Sequence, residues 1–338
     1  MTEALNTDAA RHLTTREGWR AFASQRPSSP ELLGEDEYAA LSDAELEHYN
    51  EDRLDHHARL LVVATSTVRH TVTSGRRLIL LNRHAVSARR GLIISGPAGT
   101  GKTIAITQLG LAHELQDRVR HPDVEDRIPV VYITVPPAAT PRMIAAEFAR
   151  FLGLPTVGKF NITDIIDSVV GVCTKARTGL VLVDELHNIS LTTRHGAEVA
   201  DTLKYFSERI AATFIYAGID IEHSSLLSGT RGAQIAGRFT LIPTHPFPYN
   251  QEWKGLVSTL EKTLLLHRHT PGTLGKLDRY LHKRTGGMIG ALSHQIRGAA
   301  LDAILTGTER ITRESLDAVP LDVAAETPQL VTAARESW

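Results

Sequence analysis

One run of residues constrains this chain more than any other: Arg90-Gly-Leu-Ile-Ile-Ser-Gly-Pro-Ala-Gly-Thr-Gly-Lys-Thr103. Leu92–Ser95 is a short apolar strand, Gly96–Thr103 fits the spacing G-x4-G-K-[ST], and a helix is expected from Lys102 to about Arg120. A strand that feeds a helix through a glycine loop calls for a parallel sheet, because only a long crossover returns the chain to a parallel neighbour. Glycines at 96, 99 and 101 let the backbone curl so that successive N–H groups point inward. The helix start adds roughly half a positive charge at the same place. The loop predicts a cradle for the phosphates of ATP made by Gly96, Pro97, Ala98, Gly99, Thr100, Gly101, Lys102 and Thr103. Lys102 is expected at the β- and γ-phosphates, and the Thr103 hydroxyl on Mg2+.

The rest of the chain supports a fold of that kind. Further apolar strands are expected at Val130–Val135, Gly179–Asp184, Thr213–Ala217 and Phe239–Ile242. Helices are expected between them at Pro141–Leu152, Ile162–Ala176 and Ala197–Ile210. Strands alternating with helices predict an α/β domain, a parallel sheet covered on both faces. Before it, Thr15–Ala23 reads as a short helix and Ser42-Asp-Ala-Glu45 as a capping box opening a helix to about Ala64. A second lead-in helix is expected over Thr67–Arg83, interrupted or weakened near Gly75. After the linker Pro243–Pro248 only helices follow, at Gln251–Leu266, Thr273–Thr285, Ile289–Leu305 and Thr312–Ala318. The expected division is a helical N-terminal region (1–88, acidic then basic), an α/β nucleotide-binding domain (89–247), a small all-helical lid (248–320) and a tail (321–338).

A second motif, Leu180-Val-Leu-Val-Asp184-Glu185, ends an apolar strand in two carboxylates. Asp184 is the candidate ligand for Mg2+ and Glu185 the candidate general base that polarises the attacking water. His187 or Asn188 is a candidate to orient Glu185 or sense the γ-phosphate, with helix capping by Asn188 as the plainer reading. Thr213 and Asp220 compete for a polar role on the fourth strand. Arg238, with Arg231 second, is the candidate finger that stabilises transition-state charge on the nucleotide of a neighbouring subunit.

Charge is balanced overall, 37 Lys+Arg against 38 Asp+Glu, which excludes a uniformly basic nucleic-acid binder. Its distribution is uneven. Residues 1–55 hold 13 acids against five arginines, and no acid stands between Asp55 and Glu114. That window reads as one basic surface joined to the phosphate site, with Arg76, Arg77 and Arg83 as candidate contacts to duplex DNA. The single cysteine, Cys173, fits a reducing cytoplasm and core packing. His56-His57 and His267-x-His269 read as solvated helix faces rather than metal ligands. No apolar run approaches the ~20 residues of a membrane span.

Together these motifs resemble the AAA+ class of ATPases and, more narrowly, the TniB/TnsC-type transposition regulators. The likeness rests on the two runs ending at Thr103 and Asn188, on Phe214-Ile-Tyr-Ala-Gly218, and on Gly286-Gly-Met-Ile-Gly290 in the lid; it covers roughly residues 55–318. It implies an AAA+ P-loop NTPase fold whose ATP-bound copies form a ring or helical filament on duplex DNA, recruit or activate a DDE-type transposase, and disassemble on slow hydrolysis. Many AAA+ lids carry a nucleotide-contacting arginine near the position of Gly290; this turn has none, leaving Arg284 or Arg297 as substitutes. A STAND-type switch without DNA binding is the alternative. An origin loader would call for a winged-helix domain after the lid, where about twenty residues remain.

Overall fold

The computed structural model describes residues 12–25, 29–124, 126–156, 161–189, 194–223 and 237–321. In chain order, helices α1 (Arg16–Ser24), α2 (Glu35–Ala39), α3 (Asp43–Ala58) and α4 (Ser66–Asn82) lead into strand β1 (Gly91–Ser95). There follow α5 (Lys102–Arg120), β2 (Val130–Thr134), α6 (Pro141–Phe151), α7 (Ile162–Lys175), β3 (Leu180–Asp184), α8 (Arg194–Arg209), β4 (Thr213–Gly218) and β5 (Phe239–Pro243). The remaining elements are α9 (Gln251–Glu261), α10 (Thr273–Lys276), α11 (Asp278–Thr285), α12 (Ile289–Leu305) and α13 (Arg313–Ala318).

The chain separates into two compact units. The first comprises residues 1–25 and 66–244, the second 26–65 and 245–338. The lead-in expected as one region over 1–88 is thus shared between them.

The first unit is built on a five-stranded parallel sheet of order β2-β3-β4-β1-β5. Every residue of β1, β3 and β4 is buried, as a sheet covered on both faces requires. Because all strands run the same way, Ser95, Asp184 and Gly218 end at one edge. That edge is where the chain turns into its loops, and where ligands of open α/β sheets bind. Helix α4 is continuous through Gly75. The glycine is buried, and a Cβ there would stand 2.3 Å from Leu109 of α5, so it permits close helix contact and breaks nothing.

The second unit has its own core, which includes Trp253, Leu256 and Val257 of α9 and Leu292, Ile296 and Ala299 of α12. Helix α3 packs on α12. It ends at Ala58, short of the expected Ala64, because Arg297 of α12 takes its last carbonyls. The guanidinium Nε donates to His57 O (2.9 Å), and a second nitrogen donates to Ala58 O. The core of α3 is Arg53, fully buried, which pairs with Glu309 through two 2.8 Å hydrogen bonds and also donates to Leu265 O (3.1 Å). Of the histidines expected on solvated faces, His57 is buried and His56, His267 and His269 are partly buried. Buried His57 accepts from the Leu265 N–H (3.2 Å), His269 meets Glu261 (3.2 Å), and the His267 ring lies 3.9 Å from that of Tyr38.

Candidate active site

The loop after β1 adopts the curl its glycines predict. Gly96, Gly99 and Gly101 have φ of 147°, 75° and 87°, and Gly101 is the N-cap of α5. At Gly96 no side chain fits, since a Cβ would lie 2.0 Å from the Thr244 carbonyl. The loop is braced from beneath. Thr244 donates its N–H to Ser95 O (2.6 Å), and its hydroxyl shares a hydrogen bond with Thr100 (2.8 Å), which also donates to Pro97 O (2.8 Å). Thr244 lies in what the sequence presents as a linker.

Half-buried Lys102 donates from Nζ to the carbonyls of Gly96 (2.8 Å) and Pro97 (2.6 Å). Burial lowers its pKa from the ordinary lysine value, while Asp184, Glu185 and Asp220 pull the other way. Its present partners are therefore neutral, and its nearest charges are carboxylates.

The second motif meets the first. Asp184, 3% exposed, accepts from the Thr103 hydroxyl (2.7 Å) and the Tyr132 phenol (3.1 Å) on one oxygen and from the Glu185 N–H (2.8 Å) on the other. Burial and then the Asp184 charge raise the pKa of Tyr132, so it stays a donor. Tyr132 escapes a motif-based reading; the only sign of it is one phenol in the apolar run of β2.

Glu185 sits in the left-handed region at φ 56°, a conformation that costs a non-glycine residue of order 1–3 kcal/mol and clusters at functional sites. Its carboxylate lies 3.3 Å from His187 Nε2. The other ring nitrogen, Nδ1, accepts from the Ile219 N–H just past β4 (3.3 Å). A backbone N–H can only donate, so the ring proton stands on Nε2 and faces Glu185. His187 thereby joins the carboxylate to the end of β4. Asn188 donates from its side-chain amide to Val135 O (2.8 Å).

The other candidates separate by the direction of the strands. Asp220 follows β4 at the phosphate-loop edge and is among the charges acting on Lys102. Thr213 begins β4, at the opposite edge, and its buried hydroxyl accepts from Asn82 (2.9 Å), so it has no place at the loop. Arg238 precedes β5, also at the opposite edge, and pairs with Glu208 at 3.5 Å. Five strand residues, roughly 17 Å, separate it from its own phosphate loop. Arg231 lies outside the described residues. Arg89 and Arg90 precede β1 while the loop follows it, so these two stand at the edge of the sheet opposite the phosphate loop. With Glu208 and Arg238 they line a cavity of about 250 Å³. Arg76, Arg77 and Arg83 are exposed. In the second unit Arg284 donates to the carbonyls of Asp317 and Val319 (both 3.2 Å), and Arg297 holds α3.

Residues 84–227 match the family model of the AAA domain, a stretch that contains the glycine loop, Asp184-Glu185 and Asp220. The fold is that of an AAA+ P-loop NTPase. Among solved structures, the chain is similar to the Aeropyrum pernix ORC2 protein in its ADP form, at 18% identity and TM-score 0.60 over 78% of this chain and 70% of that one. It is similar to the A. pernix ORC1 protein in complex with DNA, at 15% identity and TM-score 0.57, over 78% of this chain and 66% of that one. It is also similar to Drosophila ORC bound to DNA, at 15% identity and TM-score 0.52, over 93% and 73%. The chain thus spans about two thirds of the length of the ORC1 protein. No curated protein sequence matches it. No described helix is long and apolar enough to cross a membrane.

Proposed function

We propose that this chain is an ATP-hydrolysing AAA+ regulator of transposition, similar to the TniB/TnsC type, that assembles on duplex DNA. The observation that carries the ATPase reading is the contact of Thr103 with Asp184 at 2.7 Å, beside a Glu185 held by His187. The glycine loop presents backbone N–H groups to phosphates, and Lys102 exchanges two neutral carbonyls for phosphate oxygens, a stronger charge-assisted bond. The Thr103 hydroxyl and the Asp184 carboxylate are hard oxygen donors already in contact, a set that fits Mg2+. When bound, that ion neutralises charge on the β- and γ-phosphate oxygens. Tyr132 and the Glu185 N–H hold the Asp184 carboxylate in orientation. Glu185 takes the proton of the attacking water, and His187 Nε2–H fixes the carboxylate and reports the state of β4 to it. Arg238, too far from its own loop, serves the nucleotide of the next copy, so hydrolysis requires assembly.

The DNA reading draws on Arg76, Arg77 and Arg83, exposed cations suited to sequence-independent phosphate contacts. It draws also on similar folds solved with DNA. In this reading ATP-bound copies form a ring or filament on duplex DNA in the cytoplasm, engage a DDE-type transposase, and come apart on hydrolysis. The test is binding of the purified protein to duplex DNA with ATP, with ADP and without nucleotide, at two salt concentrations, with electron microscopy of the same samples. Salt-sensitive coating of DNA that requires ATP is the expected result. No DNA binding in any state overturns the DNA reading and leaves a STAND-type switch.

A further inference from the structure

Helix α1 has nine residues, too few to hold as an isolated helix in water, so it exists because it docks. Its N-cap is local: the Thr15 hydroxyl accepts from the Gly18 N–H (3.1 Å). The rest of its support comes from the α/β unit. Arg118 of α5 donates to the Ser24 hydroxyl (2.9 Å), Arg20 donates to the Arg127 carbonyl (3.3 Å), and Phe22 packs against the core. The main anchor is Trp19, 2% exposed. Helix α5 makes room for its indole at Gly110, where a Cβ would stand 2.5 Å from the Trp19 ring and 2.8 Å from Leu182 of β3. The indole N–H has no hydrogen-bond partner among the described residues, so the fold uses the face of the ring and not its polar end.

That face lies on Tyr132. The two rings are stacked, with centroids 6.0 Å apart and planes 16° from parallel. Tyr132 stands opposite Leu182 in the β2–β3 register, and Thr134 opposite Asp184. Residues two apart on a strand share a face, so Leu182, Tyr132 and Asp184 all lie on the side of the sheet covered by α5. There the Tyr132 hydroxyl donates to Asp184 (3.1 Å), and the Thr134 side chain also bonds the phenol. Hydrogen bonds hold the tip of this side chain; the indole holds the plane of its ring.

We infer, on the basis of the proposed ATP site, that Trp19 is a positioning residue for it: by holding the ring of Tyr132 it aims the phenol at Asp184, and so sets how well Thr103 and Asp184 take Mg2+ with the nucleotide. Partners behind a ligand fix its orientation, and a carboxylate that loses one must be ordered when the ion binds. The contacts of the glycine loop and Lys102 with phosphate do not pass through the stack. Loss of Trp19 therefore weakens binding that depends on the metal and spares binding that does not.

The test compares the wild type with Trp19→Leu, Trp19→Phe, Tyr132→Phe and the double variant Trp19→Leu/Tyr132→Phe, with circular dichroism to verify folding. Affinity for a non-hydrolysable ATP analogue is measured by calorimetry in EDTA and in Mg2+. The wild type is expected to bind more tightly in Mg2+. Trp19→Leu and Tyr132→Phe should each lose at least about threefold of that gain, the size of one modest hydrogen bond, with affinity in EDTA unchanged. Trp19→Phe, which keeps a stacking face, should retain most of it. The double variant should lose no more than the larger single, because both changes break one link. A spectroscopic arm needs no destabilised protein. The chain has three tryptophans, and in protein labelled with 5-fluorotryptophan the resonance missing from Trp19→Phe is that of Trp19. It should shift when Mg2+ joins the nucleotide complex, and Tyr132→Phe should abolish the shift. Three results overturn the inference: a folded Trp19→Leu with the full Mg2+ gain, equal losses in EDTA and in Mg2+, or losses that add in the double variant. A fluorine resonance blind to Mg2+ also overturns it. A wild type that gains nothing from Mg2+ overturns the metal reading of Thr103 and Asp184 as well; one that gains while every Trp19 variant matches it overturns the role of Trp19 alone.

Discussion

The two units use their cations in opposite ways. In the helical unit Arg53 is sealed against Glu309, Arg297 closes the end of α3, and Arg284 holds the carbonyls near Asp317. In the α/β unit the cations singled out by motif are held loosely. Lys102 rests on two neutral carbonyls, Arg238 reaches one half-exposed carboxylate at 3.5 Å, and Arg76 and Arg77 have no ion pair among the described residues. An anion arriving at the first unit displaces carbonyls and water; at the Arg53 site it would have to break a buried ion pair. The number of arginines in a segment therefore says little about function. The strength of their present partners says more.

The sharpest way to break this contrast is to remove one cation of each kind. Arg53→Ala strands Glu309 as a buried charge and is expected to destabilise the helical unit by about 3–5 kcal/mol. Hydrogen exchange should show lost protection in α12 with little change in α5. Arg53→Met with Glu309→Leu should recover much of the loss. Equal loss in both units would mean that the pair serves the whole chain. In the α/β unit, Lys102→Ala removes a cation that the fold barely uses. ATP affinity is expected to drop at least about a hundredfold by calorimetry, with the melting temperature of the free protein nearly unchanged. A large loss of stability without ligand would erase the distinction.

Acid sharpens the comparison further. Burial lowers the pKa of His57 to about 4, with His56 and Arg53 adding to the effect, and His113 of α5 is likewise lowered to about 4 by burial. Both are neutral in the fold, while the unfolded chain binds protons below about 6.5. Stability therefore falls as pH drops from about 6.5 toward 4, by about 2 kcal/mol per group between pH 7 and 5. His57→Gln, which keeps an acceptor for the Leu265 N–H, should remove that share in denaturant titrations and leave the share of His113. An unchanged pH slope would contradict the buried neutral His57. The smallest effect is expected at the surface. Arg76→Ala/Arg77→Ala should weaken DNA binding about tenfold near physiological salt and lower the salt slope by about 2. An unaltered slope would move the DNA contacts elsewhere.

Much of the α/β unit, and the start of α3 in the helical unit, were legible because their signals are local. The capping box at Ser42, the strand ending at Asp184 and the glycine loop are each specified within a few residues, and each element begins or ends where its signal stands. What escaped depends on contacts distant in sequence. The stop of α3 at Ala58 is made by Arg297, and the packing of His57, His267 and His269 by partners brought in by the fold. Gly75 reads as a weak point only until Leu109 is placed against it. At the site the motifs supplied Lys102, Thr103, Asp184 and Glu185. Tyr132 and Thr244 carry no motif, because a phenol within a strand or a hydroxyl just past one becomes meaningful only when the strand order is known. That order also divides Asp220 from Thr213, which stand at opposite ends of one strand.

The most direct test of the site is Glu185→Gln, a near-isosteric change that removes the base and keeps the loop. Single-turnover hydrolysis with ATP and duplex DNA should fall by at least about a hundredfold while ATP binding stays within about twofold of the wild type, leaving assemblies locked on DNA. Normal turnover by this variant would contradict the assignment of Glu185 as the general base, and with it the reading of this edge of the sheet as a hydrolytic site.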